Sequence, residues 1–261
     1  MKDILQEIVA TKRAEVDRRK RKTDLQALYR QAETPRATRH SLQEALRSSS
    51  TGIISEFKRR SPSKGWINRE ADVQSVVRAY QQAGATALSV LTDTPYFGGT
   101  DDDLRAARQA CSLPILRKDF TIDEFQLVES RVLGADAVLL IAAALTREQC
   151  RRFAEIAHQL ELEVLLEIHD QSELNYYSEY VDVLGVNNRN LGSFHTDVAN
   201  SFRLIEQMPR EATPISESGI SNPDTVKELR AIGFKGFLIG ENFMKTETPG
   251  DSLKSFINAL N

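Results

Sequence analysis

Residues 136–168 read DAVLLIAAALTREQCRRFAEIAHQLELEVLLEI. The short apolar run Asp136–Ile141 is followed by Thr146 and Gln149 at capping-box spacing, then by a polar–apolar segment of helical period, then by a second apolar run, Glu163–Ile168. A strand that leaves through a helix and returns as a strand of the same kind is a parallel βαβ unit, whose strands are buried on both faces and so read as continuous apolar runs.

The same unit recurs outward in both directions. Strand-like runs are expected at Gly52–Lys58, Thr86–Leu91, Pro114–Lys118, Asp182–Asn187, Pro214–Glu217 and Gly236–Ile239, which with the first two makes eight. Between them lie helical stripes such as Val73, Val76, Val77 and Tyr80. Thr121 with Glu124, and Ser221 followed by Pro223, also read as helix starts. The last stripe, Leu253, Phe256, Ile257 and Leu260, is expected to close the ring. Eight strand–helix pairs with no GxGxxG after the first strand point to a closed (β/α)8 TIM barrel, not to an open doubly wound sheet.

Residues 1–50 lack a strand-like run and are read as a helical N-terminal extension, broken near Pro35, that packs on the barrel within one domain spanning 1–261. Ile4, Ile8, Val9 and Val16 give its first helix an apolar stripe, and Arg18–Lys22 is read as a solvated basic run complementing the helix dipole. A net charge of -3 gives no global pull toward nucleic acid, so an anionic substrate needs a local site. Cys111 and Cys150 lack paired spacing, and the charged N-terminus is neither a signal core nor a membrane span. The expectation is a cytoplasmic monomer that engages neither nucleic acid nor membrane.

In such a barrel the loops after the strands converge on one face, and the active site forms there. The strand ends carry Glu56 and Lys58, Thr92-Asp93, Lys118-Asp119, Ile141-Ala142, Glu167, Asn187 with Arg189, Glu217-Ser218-Gly219 and Gly240-Glu241. Lysines and glutamates gathered in one mouth can tune one another as acids and bases. Ser218-Gly219 and Gly240-Glu241 follow the seventh and eighth strands, where such barrels often bind phosphate through backbone N–H groups. His40, His158, His169 and His195 have no ligand spacing, which argues against a metal centre. His169 is read as facing the outside of its strand.

At these residues the chain resembles a known family. Ile53–Gly65, IISEFKRRSPSKG, looks like the first-strand signature of the indole-3-glycerol phosphate synthases. Leu91-Thr92-Asp93, Tyr96–Gly99, Leu116–Phe120, Leu165–His169, Asn187–Leu191, Ser216–Ile220 and Leu238–Glu241 continue the likeness in order. The resemblance implies conversion of 1-(o-carboxyphenylamino)-1-deoxyribulose 5-phosphate to indole-3-glycerol phosphate, carbon dioxide and water, with no metal or organic cofactor.

It also implies Lys118 as general acid and Glu167 as base. Lys58, held by Glu56, binds anions or supplies the second acid. Asn187 hydrogen-bonds the reacting groups, Arg189 and Ser61 orient substrate or loop, and Ser218, Gly219, Gly240 and Glu241 form the phosphate site. Phe97, Pro62 and Leu140 are candidates for an apolar wall around the aromatic ring. A phosphoribosylanthranilate isomerase on the same scaffold would call for a cysteine near the first strand end, where this chain has Glu56-Phe57-Lys58. A barrel retained only for binding would not need the full ionisable set.

Overall fold

The computed structural model describes residues 4–36, 38–190 and 195–260. Its eight parallel strands are β1 (Ile53–Phe57), β2 (Ala87–Leu91), β3 (Ile115–Lys118), β4 (Ala137–Ile141), β5 (Glu163–Ile168), β6 (Val183–Asn187), β7 (Pro214–Glu217) and β8 (Gly236–Ile239). Each pairs with its neighbours in sequence, and the barrel closes where Ile53 and Ile54 lie opposite Phe237 and Leu238. Because side chains alternate along a strand, Ile54, Leu116, Leu139, Ile141, Leu165 and Leu238 fill the interior, while Leu88, Val138, Leu140 and Val164 pack outward beneath the helices.

Three helices precede the barrel: α1 (Ile4–Lys22), α2 (Leu25–Ala32) and α3 (Leu42–Ser48). Leu42 and Leu46 of α3 join the interior cluster and plug the end where the strands begin. The outer layer consists of α4 (Val73–Ala83), α5 (Asp101–Ala110), α6 (Glu124–Leu133), α7 (Arg147–Gln159), α8 (Ala199–Leu204), α9 (Pro223–Ala231) and α10 (Pro249–Asn258). The stripe Val73, Val76, Val77 and Tyr80 is buried, and α10 packs on α4, closing the layer.

Three expectations need correction here. The fifth crossover, between β5 and β6, carries a six-residue 3-10 segment, Gln171–Tyr176, in place of an α-helix. Its sequence, QSELNY, has too few apolar positions for a full buried stripe, and Asp170 caps its first turn. Thr146 and Gln149 do form a reciprocal capping box, but Asp123 and not Thr121 caps α6, and Asn222 and not Ser221 caps α9. In both cases an Asx side chain stands one residue before the first helical position and reaches the free N–H groups directly.

The basic run is the third. Arg19 pairs with Asp101 and Glu129 at 3.1 and 3.2 Å, and Lys20 pairs with Asp123 at 2.7 Å, so these two cations tie α1 to the barrel while Arg18, Arg21 and Lys22 are exposed. Lys12 ties it further. It lies within the buried stripe of Leu5, Ile8 and Val16, and its ammonium sits between Asp93 and Asp119 just beyond β2 and β3. Among the described residues no helix is long and apolar enough to cross a membrane.

Candidate active site

At the C-terminal end of the barrel the strands open into a cavity of about 560 Å³. Glu56, Lys58, Lys118, Glu167, Asn187, Arg189, Glu217, Ser218, Gly219, Gly240 and Glu241 all line it. The ends of six strands therefore bring together groups that are far apart in sequence.

Lys118, the last residue of β3, is the hub. Its Nζ lies 3.1 Å from Glu167 Oε2 and 3.5 Å from Glu217 Oε2. Burial works against its charge, but Glu167, Glu217 and Glu56 outweigh that penalty and hold the ammonium protonated. The two glutamates share this one cation and cannot ionise equally. Glu167 is kept low despite its burial, by Lys118 and His169 and by the amide of Asn187, whose Nδ2 donates to Oε1 at 3.1 Å. Glu217 is pushed up to about 8, first by burial and then by its carboxylate neighbours Glu167 and Glu56. Across the mouth Lys58 Nζ donates to Glu56 Oε1 at 2.6 Å.

Asn187 also organises the rim. Its Oδ1 accepts the backbone N–H of Arg189 at 3.0 Å, and the Arg189 guanidinium donates to Ser63 Oγ at 3.1 Å and to Thr196 Oγ1 at 3.3 Å. The loop after β1 is thereby tied to the loop after β6. Ser61, expected to orient substrate or loop, lies in the loop after β1. Its buried Oγ accepts the Lys64 N–H at 3.2 Å, and Pro62, Ser63 and Lys64 line the cavity in front of it.

On the opposite side the wall is apolar. Phe97 and Phe120 approach with ring centroids 6.0 Å apart, and Pro62, Leu139 and Ile141 complete the surface. Leu140 does not belong to it. Strand alternation turns that residue into the outer core, and its neighbours on either side point inward. Ile4, Leu5 and Ile8 of α1 supply a further patch that the sequence did not assign to the site.

Ser218 and Gly219 both adopt left-handed backbone, with φ of 67° and 77°. A non-glycine residue in that region is uncommon and clusters at functional sites. Asn188 Nδ2 holds the Ser218 carbonyl at 3.1 Å, and Gly240 and Glu241 lie alongside on the next strand end. The Glu241 carboxylate extends toward Arg189 Nη2, at 3.9 Å.

His169 is corrected as well. It follows β5 two residues after Glu167, so the two share a side, and its Nε2 lies 3.4 Å from Glu167 Oε1. Of the residues carrying the family resemblance, Leu191 lies outside the described residues. In the sequence Glu217 stands at a strand end beside the Ser218-Gly219 turn, with no role of its own. A usable signal was Gly185 on the neighbouring strand, where an added Cβ would lie 2.3 Å from Glu217 Oε1.

Comparison with known proteins shows the family. Residues 5–256 match the family described as indole-3-glycerol phosphate synthase. The chain is 56% identical over 260 residues to the indole-3-glycerol phosphate synthase of Bacteroides thetaiotaomicron, covering 100% of both chains. It is 43% identical over 251 residues to that of Neisseria meningitidis serogroup B, covering 95% of this chain and 96% of the relative. Among solved structures, the thiamine phosphate pyrophosphorylase of Pyrococcus furiosus superposes with a TM-score of 0.61 at 16% identity, over 84% of this chain and 98% of that one. A tryptophan synthase α-subunit mutant from the same organism gives 0.61 at 14%, over 80% and 97%. Those two likenesses bear on the fold alone, whereas full-length identity at the level of the first two relatives decides the family: the chain belongs to the indole-3-glycerol phosphate synthases.

Proposed function

We propose that Lys118, Glu167, Lys58 and Glu56 divide the acid and base work of the family's reaction among themselves. The chain is a carbon–carbon lyase of tryptophan biosynthesis, closing the indole ring of 1-(o-carboxyphenylamino)-1-deoxyribulose 5-phosphate with loss of carbon dioxide and water. The carboxylate-bearing ring carbon attacks the ribulose carbonyl carbon, and Lys118 Nζ gives its proton to the carbonyl oxygen as that bond forms. Breaking the ring–carboxylate bond then returns the electron pair to the ring and restores aromaticity. In the last step the new hydroxyl leaves as water with a proton from Lys58, while Glu167 removes the proton whose loss completes the pyrrole ring.

The observation that carries this reading is the Lys118 ammonium, partly buried and 3.1 Å from the ionised Glu167. The pair brings a donor and an acceptor to one point of a mouth walled on one side by aromatic and aliphatic carbon. We assign the substrate phosphate to Ser218, Gly219, Gly240 and the Glu241 backbone, with Arg189 and Asn187 orienting the reacting end. All these groups come from one chain, which supports a monomer as the working unit, and the free thiols of Cys111 and Cys150 fit a reducing cytoplasm.

Incubating the purified protein with the carboxyphenylamino ribulose phosphate and following indole fluorescence tests the assignment. Lys118→Ala should depress kcat far more than it raises KM, because an acid used in the transition state contributes there. Unchanged turnover would remove Lys118 from the role of acid.

A further inference from the structure

His169 stands just beyond β5, held from three directions. Its backbone N–H donates to Glu173 Oε2 at 2.6 Å, and its carbonyl accepts from Asn200 Nδ2 at 2.8 Å. Its ring, 14% exposed, lies between two carboxylates: Nε2 is 3.4 Å from Glu167 Oε1, and Nδ1 is 3.5 Å from Glu173 Oε2. Both ring nitrogens are buried and neither makes a hydrogen bond, so the two carboxylate oxygens meet them as ion-pair contacts.

The chemistry of the ring restricts its charge. A neutral imidazole has one N–H and one lone pair, whereas an ionised carboxylate only accepts. With a carboxylate on each side, either neutral tautomer would turn a lone pair toward a carboxylate oxygen in a site shielded from water. Only the imidazolium presents a donor to both.

We propose that His169 is a positioning residue that acts through Glu167: as an imidazolium wedged between Glu173 and Glu167, it fixes Oε1 and keeps the base ionised while Oε2 faces Lys118. This rests on the reading of Glu167 as the base. The charged groups around the ring are Glu167 on its own strand, Glu173 in the 3-10 segment and Glu217 on β7, with Lys118 of β3 beyond Glu167. Burial disfavours the cation, but Glu173, Glu167 and Glu217 together raise the imidazole above its ordinary range.

The consequence for turnover concerns the later step. Once Lys118 has given up its proton, the cation nearest Glu167 Oε2 is gone. His169 and the Asn187 amide then hold Glu167 ionised, ready to take the proton removed during dehydration.

The test combines an NMR titration, which needs no turnover, with pH profiles of kcat. His169→Asn removes one of four imidazole signals and so assigns the His169 resonance in the unsubstituted protein. That resonance should titrate above the value of about 6.5 for a free histidine, and Glu173→Gln should lower its midpoint by about one unit. In His169→Asn the acidic limb of kcat should move up by about one unit, with KM little changed and the far-UV spectrum intact. A His169 midpoint at or below about 6.5, the value of a free histidine, or an acidic limb unmoved in both variants, would overturn the proposal. If His169→Asn does not fold, Glu173→Gln decides alone, since it keeps the ring in place. Glu167→Gln with undiminished kcat would instead overturn the base reading, and the titration would still report the charge on His169.

Discussion

Lys12→Met removes the charge at the centre of the joint between α1 and the barrel while keeping most of the apolar stem. The ammonium is 1% exposed and lies 2.9 Å from Asp93 Oδ2, 2.9 Å from Asp119 Oδ1 and 3.0 Å from Glu15 Oε2. Without it, two buried carboxylates face each other across the space the cation filled. Breaking a buried ion pair from one side costs about 3–5 kcal/mol. Two features favour the low end. Asp119 retains Arg117 at 3.4 Å and the Thr92 hydroxyl at 2.7 Å, and Asp93 can take up a proton, the direction in which burial already drives it. The expected loss is therefore about 3 kcal/mol.

That proton uptake gives the loss a pH signature. A carboxyl whose folded pKa is raised contributes stability below its unfolded pKa and loses it as the pH climbs through the folded value. The deficit of Lys12→Met should therefore be smaller at pH 5 than at pH 8. Urea unfolding at both pH values, followed by far-UV circular dichroism and by the single tryptophan, Trp66 in the loop after β1, measures it. We propose that extension and barrel form one domain, so the two signals should move together. Because Ile4, Leu5 and Ile8 line the mouth, loosening α1 should also raise KM. A deficit below about 1 kcal/mol, the value of an exposed ion pair, or one equal at the two pH values, would refute the reasoning.

Gly219→Val should mainly raise KM, since its φ of 77° disfavours a side chain and a Cβ there would lie 2.5 Å from Thr196 Cγ2; an unaltered KM would move the phosphate elsewhere. Lys58→Met should release carbon dioxide from labelled substrate faster than indole fluorescence appears, because the hydroxyl would lack its acid; equal rates would return Lys58 to binding alone. Glu217, raised to about 8 from an ordinary 4.5, stabilises the fold below pH 4.5 and loses that contribution as the pH rises through 8. Glu217→Gln should flatten both this slope in urea stability and an accompanying rise in wild-type KM between pH 7 and 9, and a slope unchanged by the substitution would remove Glu217 as its source.

The barrel was legible because its signal is repeated and local. Each buried parallel strand is a short apolar run, and eight of them in order leave few alternatives. What escaped the reading depended on parity or on distance. Leu140 was one residue out of phase with its inward neighbours Leu139 and Ile141, and a one-residue difference exchanges the faces of a strand. His169 was lost to the same parity. Lys12 sits at helical spacing within an apolar stripe, a pattern that also fits a long side chain reaching out to water. Its partners Asp93 and Asp119 lie on other elements, and no local spacing connects them.

Glu217 exposes a different limit, because its importance is electrostatic and belongs to the group as a whole. Ranked as single residues, Glu56, Glu167 and Glu217 are equivalent strand-end glutamates, and three of them beside two lysines would make the mouth net negative. The substrate brings a carboxylate and a phosphate, so a negative mouth would repel both ends of it. Burial pushes Glu217 up to about 8, so its carboxyl gives up its proton less readily than that of Glu167, and the mouth is less negative than three equally acidic glutamates would make it. Three strand-end glutamates thus differ by their surroundings: Glu56 accepts a hydrogen bond from Lys58, Glu167 is held ionised beside Lys118, and Glu217 is pushed toward its protonated form by burial.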